Sequence, residues 1–163
     1  MTADVTMKAA PTAPGFLTEE WAEDVRRALN AGPDEEARAA KLPNYWRWIE
    51  GVRSAYSYSW ALGVVGLPDG QDSSAYLHVD WQDGQCVKAA VLGPAQPADV
   101  AADYVLRGGL ASWQRLLSNE CDPRRVVMYR ELRLEKGDTL AFFQGIYFFA
   151  EAIGMLSKVP VRL

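Results

Sequence analysis

Catalysis by proton transfer or nucleophilic attack needs a base, an acid or an activated nucleophile, and this chain supplies few of them. Its one histidine is His78. It stands in SAYLHVDW, where Leu77, Val79 and Trp81 alternate with Tyr76, His78 and Asp80, so a period of two places it on the polar, solvent-facing side of a strand. No nucleophile elbow, phosphate-cradling glycine loop, paired-cysteine metal motif or zinc-protease helix occurs. Gly63, Gly66 and Gly70 lack the context and spacing of a nucleotide fingerprint. Cys86 and Cys121 fit no metal spacing and read as two reduced thiols, which favours the cytoplasm. The residues therefore assign no catalytic group and no metal site.

Binding chemistry is better represented. The segment NYWRWIEGVRSAYSYSW carries Tyr45, Trp46, Trp48, Tyr56, Tyr58 and Trp60, rings that suit a core wall, the mouth of a pocket or a partner surface. Stacking on single-stranded nucleic acid needs a basic groove, and only Arg47 and Arg53 are near. Arg130 shares a strand face with Leu132 and Leu134, where a desolvated guanidinium needs an anionic or carbonyl partner. Three readings are open for it: an ion pair with Asp138, Glu151 or Glu135, a head group that snorkels at the strand end, or a clasp for the carboxylate or phosphate of an amphipathic ligand.

The frame that must position these groups is one domain. At 163 residues a chain buries roughly 70 % of its unfolded surface without staples. An apolar share of 49 % and a charged share of 23 % are ordinary globular values, and a net charge of −4 gives no footprint for a phosphate backbone, so nucleic acid is excluded as a partner. Residues 1–15 read as a disordered tail without the apolar core of a secretory signal, and residues 16–163 as the domain. The tripeptide Ser157-Lys158-Val159 is similar to a peroxisomal address, but such a signal is read at an extreme C-terminus, so peroxisomal import is not expected.

Along the chain, Trp21, Val25, Ala28 and Leu29 mark an amphipathic helix over residues 18–30 with Thr18 as its N-cap. A short helix, PDEEARAAK, takes Pro33 in its first turn, and Pro43 closes it. A first strand is expected over residues 54–65, with Tyr56, Tyr58, Trp60, Leu62 and Val64 on one face. SAYLHVDW makes the second strand, Asp83-Gly84 a two-residue hairpin turn, QCVKAAVLG the third strand and DYVLRG the fourth. Leu110, Trp113, Leu116 and Leu117 share a helix face ended by Ser118 and Asn119. Asp122-Pro123 caps a short turn into a fifth strand, VVMYRELRLE.

The last helix is expected over residues 138–157, capped by Asp138, with Phe142, Ile146, Phe149, Ile153 and Leu156 as its stripe and Phe143, Tyr147 and Ala150 widening it. Gln144 and Glu151 make it too polar to span a membrane, so no stable membrane insertion is expected. It lies across the sheet as a core helix, or it lines or lids a lipid cavity. Strands grouped first with helices on one face describe an α+β domain.

The block from Ala102 to Asp138 resembles the sterol carrier protein family of lipid-binding domains, in its stand-alone bacterial form. The match rests on Ala102, Asp103, Leu106 and Gly108, then Trp113, Leu116, Leu117 and Ser118, then Asp122, Pro123 and Met128, and finally Gly137 and Asp138. It covers about a quarter of the chain, with Asn119 where the family commonly has glycine and Arg130 where it often has a small residue. The resemblance implies a five-stranded, mostly antiparallel sheet covered by helices around an apolar tunnel. It implies a fatty acid, fatty acyl thioester or sterol as ligand, no bound cofactor, and no catalytic residue.

On that basis the expected ligand-binding residues are Trp113, Leu116 and Leu117 of the helix, Val127, Met128, Arg130 and Leu132 of the fifth strand, and Phe142, Phe143, Ile146 and Phe149 of the last helix. The partner is a hydrophobic small molecule, and the protein a cytoplasmic monomer or homodimer. Two rivals stand beside this reading. One is a small cyclase or isomerase using Arg130, Tyr56, Tyr58 and Asp80 in the same cavity, and the other is an interaction module with an aromatic docking surface.

Overall fold

The structure, a computed structural model, describes residues 13–67, 74–120, 122, 125 and 131–162. It begins with helix α1 (Glu19–Ala31), whose N-cap Thr18 accepts a hydrogen bond from the Trp21 amide and whose Trp21, Ala22, Val25 and Leu29 are buried. Helix α2 (Glu35–Ala39) is capped by Asp34, so Pro33 precedes the cap instead of sitting in the first turn, and the helix buries none of its residues.

Pro43 opens a helix that the strand expectation missed, α3 (Pro43–Ser54), with Pro43 in its first turn and Trp46 and Ile49 buried three residues apart. Strand β1 accordingly starts five residues later than expected and runs Ser59–Val65. The alternation of Tyr56 and Tyr58 with Trp60 continues the strand pattern backward through a connecting segment outside the strand, whose Tyr58 and Tyr56 carbonyls accept from the Trp81 and Gly84 amides.

Strands β2 (Ser74–Gln82) and β3 (Gln85–Leu92) form the expected hairpin. Asp83 at φ 49° and Gly84 at φ 80° adopt the left-handed pair that a two-residue turn between twisted strands demands. After a 3₁₀ turn at Pro97–Asp99, β4 (Tyr104–Gly109) runs straight into α4 (Leu110–Leu117). Helix α4 ends as expected: Asn119, left-handed at φ 60°, and Glu120 donate to the Leu116 and Arg115 carbonyls, the two bonds of a Schellman cap. The Arg125 amide donates to the Asp122 carbonyl at 2.9 Å, in keeping with a turn at Asp122.

Strand β5 spans Arg133–Lys136. Glu131 and Leu132 stand outside it, and residues 126–130 of the expected strand lie outside the described residues. The sheet order is β3-β2-β1-β4-β5. Every pair is antiparallel except β1–β4, which is parallel in the register Trp60↔Tyr104. This is the expected α+β class.

The expected last helix is two helices, α5 (Thr139–Gln144) and α6 (Ile146–Leu156), broken at Gly145. Asp138 caps α5 as expected, accepting from the Ala141 amide at 2.9 Å. The break turns the second half of the stripe. Phe143 and Tyr147, expected inward, are each 49 % exposed, and Phe148 takes the buried place at 1 %.

The main core lies between the sheet and the helices, on the face of Trp60, Leu62, Val64, Leu77, Val79 and Trp81. The opposite face, expected to meet solvent along β2, is covered where Tyr76 packs with Ala61, Val100 and Val105 under the segment before β4, its hydroxyl donating to the Ala95 carbonyl at 2.7 Å. His78 is half-buried there, with Nε2 3.2 Å from the Ala101 carbonyl oxygen.

Candidate ligand-binding site

The inner wall is built from rings. Alternation along β1 and β2 delivers Trp60 and Trp81, and α6 delivers Phe148 and Phe149 onto them. Trp60 meets Phe149 edge-on at 4.9 Å and Trp81 at 5.5 Å, and Phe142 closes on Phe149 at 5.0 Å and on Tyr104 at 5.3 Å. Tyr56 fills the gap between the sheet and α6, its hydroxyl accepting from Trp60 Nε1 at 2.8 Å. Burial pushes the Tyr56 phenol well above its usual range, and Tyr104 upward as well, so both stay neutral. Trp113 Nε1 donates to the Gly63 carbonyl at 3.0 Å, which fastens α4 under β1.

The expected site residues divide. Trp113, Leu116, Leu117, Leu132, Phe142 and Phe149 all belong to this one buried cluster, and Ile146 is half-buried against it. Phe143 faces outward. Val127, Met128 and Arg130 lie outside the described residues. Of the described polar groups considered for a cyclase, Tyr56 is inside, Tyr58 is 42 % exposed with its ring 5.1 Å from that of Tyr56, and Asp80 is on the sheet face opposite Trp81. Among the described residues no group of three or more His, Cys, Asp or Glu side chains could hold a metal ion. Among them too, no helix is long and apolar enough to cross a membrane.

Helix α5 is the least embedded part of the wall. Phe142 is its one buried residue, wedged between Tyr104 and Phe149, while Leu140, Phe143 and Gln144 are exposed. These six residues, with Phe142 buried and Ala141 packed against the core at partial burial, lie over the ring cluster as a short flap-like helix between a turn and the break at Gly145.

Sequence reasoning missed a second feature, a groove of about 410 Å³ between α1, α2 and the end of α6. Its floor is Ala28, Ala31, Ala37, Met155 and Val159, and its rim includes Asp34 and Lys158. The signal was present: Asp24, Ala28 and Ala31 share one stripe of α1, and small residues there, facing Gly154, leave the helices unfilled at that end. Two lysines make ionic contacts to acids beside it. Lys158 Nζ lies 2.9 Å from Asp34 and 3.5 Å from Glu36, and Lys41 Nζ lies 2.8 Å from Glu151, which also accepts from the Tyr45 hydroxyl. Burial and this carboxylate raise the Tyr45 phenol far above its usual range.

No family model and no curated protein matches the sequence. Solved structures do. A crystal structure of sterol carrier protein 2 superposes with a TM-score of 0.67 at 26 % identity, covering 89 % of this chain and 99 % of its own. The solution structure of a conserved hypothetical protein from Thermus thermophilus, described as possibly a sterol carrier protein, gives a TM-score of 0.64 at 24 % identity, covering 92 % and 96 %. The likeness covers 89 % of this chain, well beyond the block from Ala102 to Asp138, and the fold is that of a sterol carrier protein 2-like domain.

Proposed function

We propose that this domain binds a hydrophobic ligand, a fatty acid, fatty acyl thioester or sterol, between the ring wall of the sheet and the helices α4, α5 and α6, and transfers it. The observation that carries the reading is the likeness to sterol carrier protein 2 over 89 % of the chain. The geometry of α5 supports a route: lifting the flap withdraws Phe142 from between Tyr104 and Phe149 and opens the ring cluster to an apolar chain. The gain on binding is burial. At about 0.8 kcal/mol per methylene, a long acyl chain recovers on the order of 10 kcal/mol before ordering costs, enough to replace the ring contacts that it parts. Trp113, Leu116, Leu117 and Leu132 form the floor in this reading, Phe142, Ile146 and Phe149 the flap side, and Phe143 rides on the outside of the flap. Val127, Met128 and Arg130 complete the expected set, with Arg130 as the partner of an acidic head group.

Extraction of lipid from the purified protein followed by mass spectrometry, with titration of palmitate and of a sterol, tests this. The expected result is a stoichiometric co-purifying lipid or saturable binding of at least one of the two. Protein that carries no lipid and binds neither refutes it.

A further inference from the structure

The ring wall holds two polar donors that the fold leaves without an acceptor. Trp46, Trp60 and Trp113 each donate their indole N–H, to the Arg38 carbonyl, the Tyr56 hydroxyl and the Gly63 carbonyl. Trp81 is fully buried, and its Nε1 has no hydrogen-bond partner. Buried side-chain donors nearly always find an acceptor, because a bond left unmade forfeits the hydration that the group had in water. The second donor is the Tyr56 hydroxyl, which accepts from Trp60 Nε1 at 2.8 Å and donates its own proton to no acceptor among the described residues. Burial keeps that proton on the phenol. Tyr56, Trp60, Trp81 and Phe148 form one quartet in which all the pairs of ring centroids lie 4.9–6.3 Å apart. The quartet adjoins the break between α5 and α6, where a β-carbon on Gly145 would stand 3.3 Å from Tyr56 Cε2.

We propose that Trp81 Nε1 and the Tyr56 hydroxyl donate to an uncharged oxygen of the bound ligand, the hydroxyl of a sterol or the carbonyl of an acyl ester or thioester. The inference rests on the ligand reading above and adds to it the polar contact that orients the ligand. Two neutral donors match a neutral acceptor. The buried cluster that holds these rings contains no charged side chain among the described residues, so a carboxylate brought between them would stay unpaired, whereas a hydroxyl or carbonyl needs only hydrogen bonds. Arg53, whose guanidinium carbon is 5.9 Å from the centre of the Trp81 ring, donates instead to the Gly84 and Asn30 carbonyls at 2.8 and 3.3 Å. Lifting α5 at Gly145, the route already given for an apolar chain, bares the Tyr56 edge of the quartet. Trp21 Nε1 is also buried without a partner, but its ring neighbour is Phe16, at 5.1 Å, which has no second donor. Trp21 therefore serves as the internal control.

Nuclear magnetic resonance of the lipid-free chain tests this, since its six tryptophans give six indole N–H signals. The Trp81 signal is assigned through its contact with Phe148 and the Trp21 signal through Phe16, so the readout needs no variant. Methyl palmitate and cholesterol carry the uncharged oxygen, and octadecane and cholestane are their counterparts without it. At least one of the first two is expected to shift the Trp81 indole proton downfield, as a new hydrogen bond does; neither hydrocarbon should do so, and the Trp21 signal should hold its place. In titrations, Trp81→Phe and Tyr56→Phe should each bind the oxygen-bearing ligand about tenfold more weakly, with hydrocarbon affinity unchanged within about twofold. Methyl palmitate or cholesterol that binds with the Trp81 proton unmoved, an equal shift with the hydrocarbons, or binding of palmitate alone overturns this inference and leaves the ligand reading standing. So does a Trp81 proton that, in the lipid-free chain, already exchanges magnetisation with a long-lived buried water. If neither these ligands nor palmitate bind, both readings fail together.

Discussion

Phe149→Ala asks whether the ring wall is packed protein or the lining of a ligand space that is already open. Phe149 is fully buried and makes edge-on contacts with Trp60 at 4.9 Å and 73° and with Phe142 at 5.0 Å and 67°. A buried aromatic side chain removes at least about 150 Å² from water, which at about 25 cal/mol per Å² is about 4 kcal/mol. That falls within the range of about 3–5 kcal/mol measured for such truncations, and the two lost ring pairs, at about 0.5–1.5 kcal/mol each, push toward its upper end. With a urea slope of about 2 kcal/mol per molar, the midpoint falls by about 2 M. Phe143→Ala, six residues away on the outward side of the break, is the control, and it should cost less than about 1 kcal/mol. Palmitate at a hundred times its dissociation constant should restore about 2.7 kcal/mol to both variants if it binds the native state. Urea unfolding of the lipid-free variants decides the matter. A loss below about 1.5 kcal/mol for Phe149→Ala, or a loss at Phe143 equal to it, refutes the account of the packing and of the turn at Gly145.

Three further outcomes follow from particular side chains. Burial raises the Cys86 thiol to about 11, so in a Cys121→Ser background about one thousandth is thiolate at pH 8, and a thiol reagent should label it only as fast as the protein unfolds. Because the folded value lies above the unfolded one near 9, the fold holds the proton more tightly, and stability should be flat below pH 9 and fall by at most about 2–3 kcal/mol by pH 11; urea midpoints that rise across that window contradict the assignment. Asn119 is left-handed at the end of α4, so Asn119→Gly should be neutral or stabilise by up to about 1 kcal/mol and Asn119→Val should destabilise by about 1–2 kcal/mol; equal midpoints for the two would exclude the Schellman cap. Lys158→Met removes the ammonium that Asp34 and Glu36 share, and because α2 buries none of its residues, amide exchange over residues 35–39 should quicken while the global midpoint holds; unchanged exchange there means that the ion pair does not secure α2.

How much of this was legible follows from which signals are local. Thr18, Asp138 and the pair Asp83-Gly84 each satisfy or turn the backbone beside them, and each does what its type predicts. Helix α3 was hidden because Pro43, read as a stop, stands in a first turn, and because Tyr56, Tyr58 and Trp60 happen to alternate past its end. The break at Gly145 was hidden for a different reason. A continuous stripe and a broken one differ by a rotation, and only the packing of Phe148 against Trp81 and Tyr56 shows which rotation was taken. The ring wall was legible as composition, while its partition into inner and outer rings was not. The stripe of Asp24, Ala28 and Ala31 on α1 is legible, but the groove that it lines is set by where α2 and the end of α6 leave room beside α1, which periodicity along one helix does not report.

The residues that carry the family likeness turn out to hold the frame. Asp103 accepts from the Ser59 amide at 2.8 Å and so registers β4 on β1. A β-carbon on Gly108 would stand 2.6 Å from the Glu131 carbonyl oxygen, and one on Gly137 2.6 Å from that of Asp103, so both must be bare for β4 to meet the return of the chain. Trp113 ties α4 to β1, and Asp138 starts the flap. These jobs are the same whatever the ligand. The positions free to set specificity are those the motif does not include: the rings beneath α5 and the outer face of α5. A chain can therefore match sterol carrier protein 2 along its whole fold and still take a different ligand, and exchanging the segment from Thr139 to Tyr147 between two such domains should move ligand preference without moving the fold.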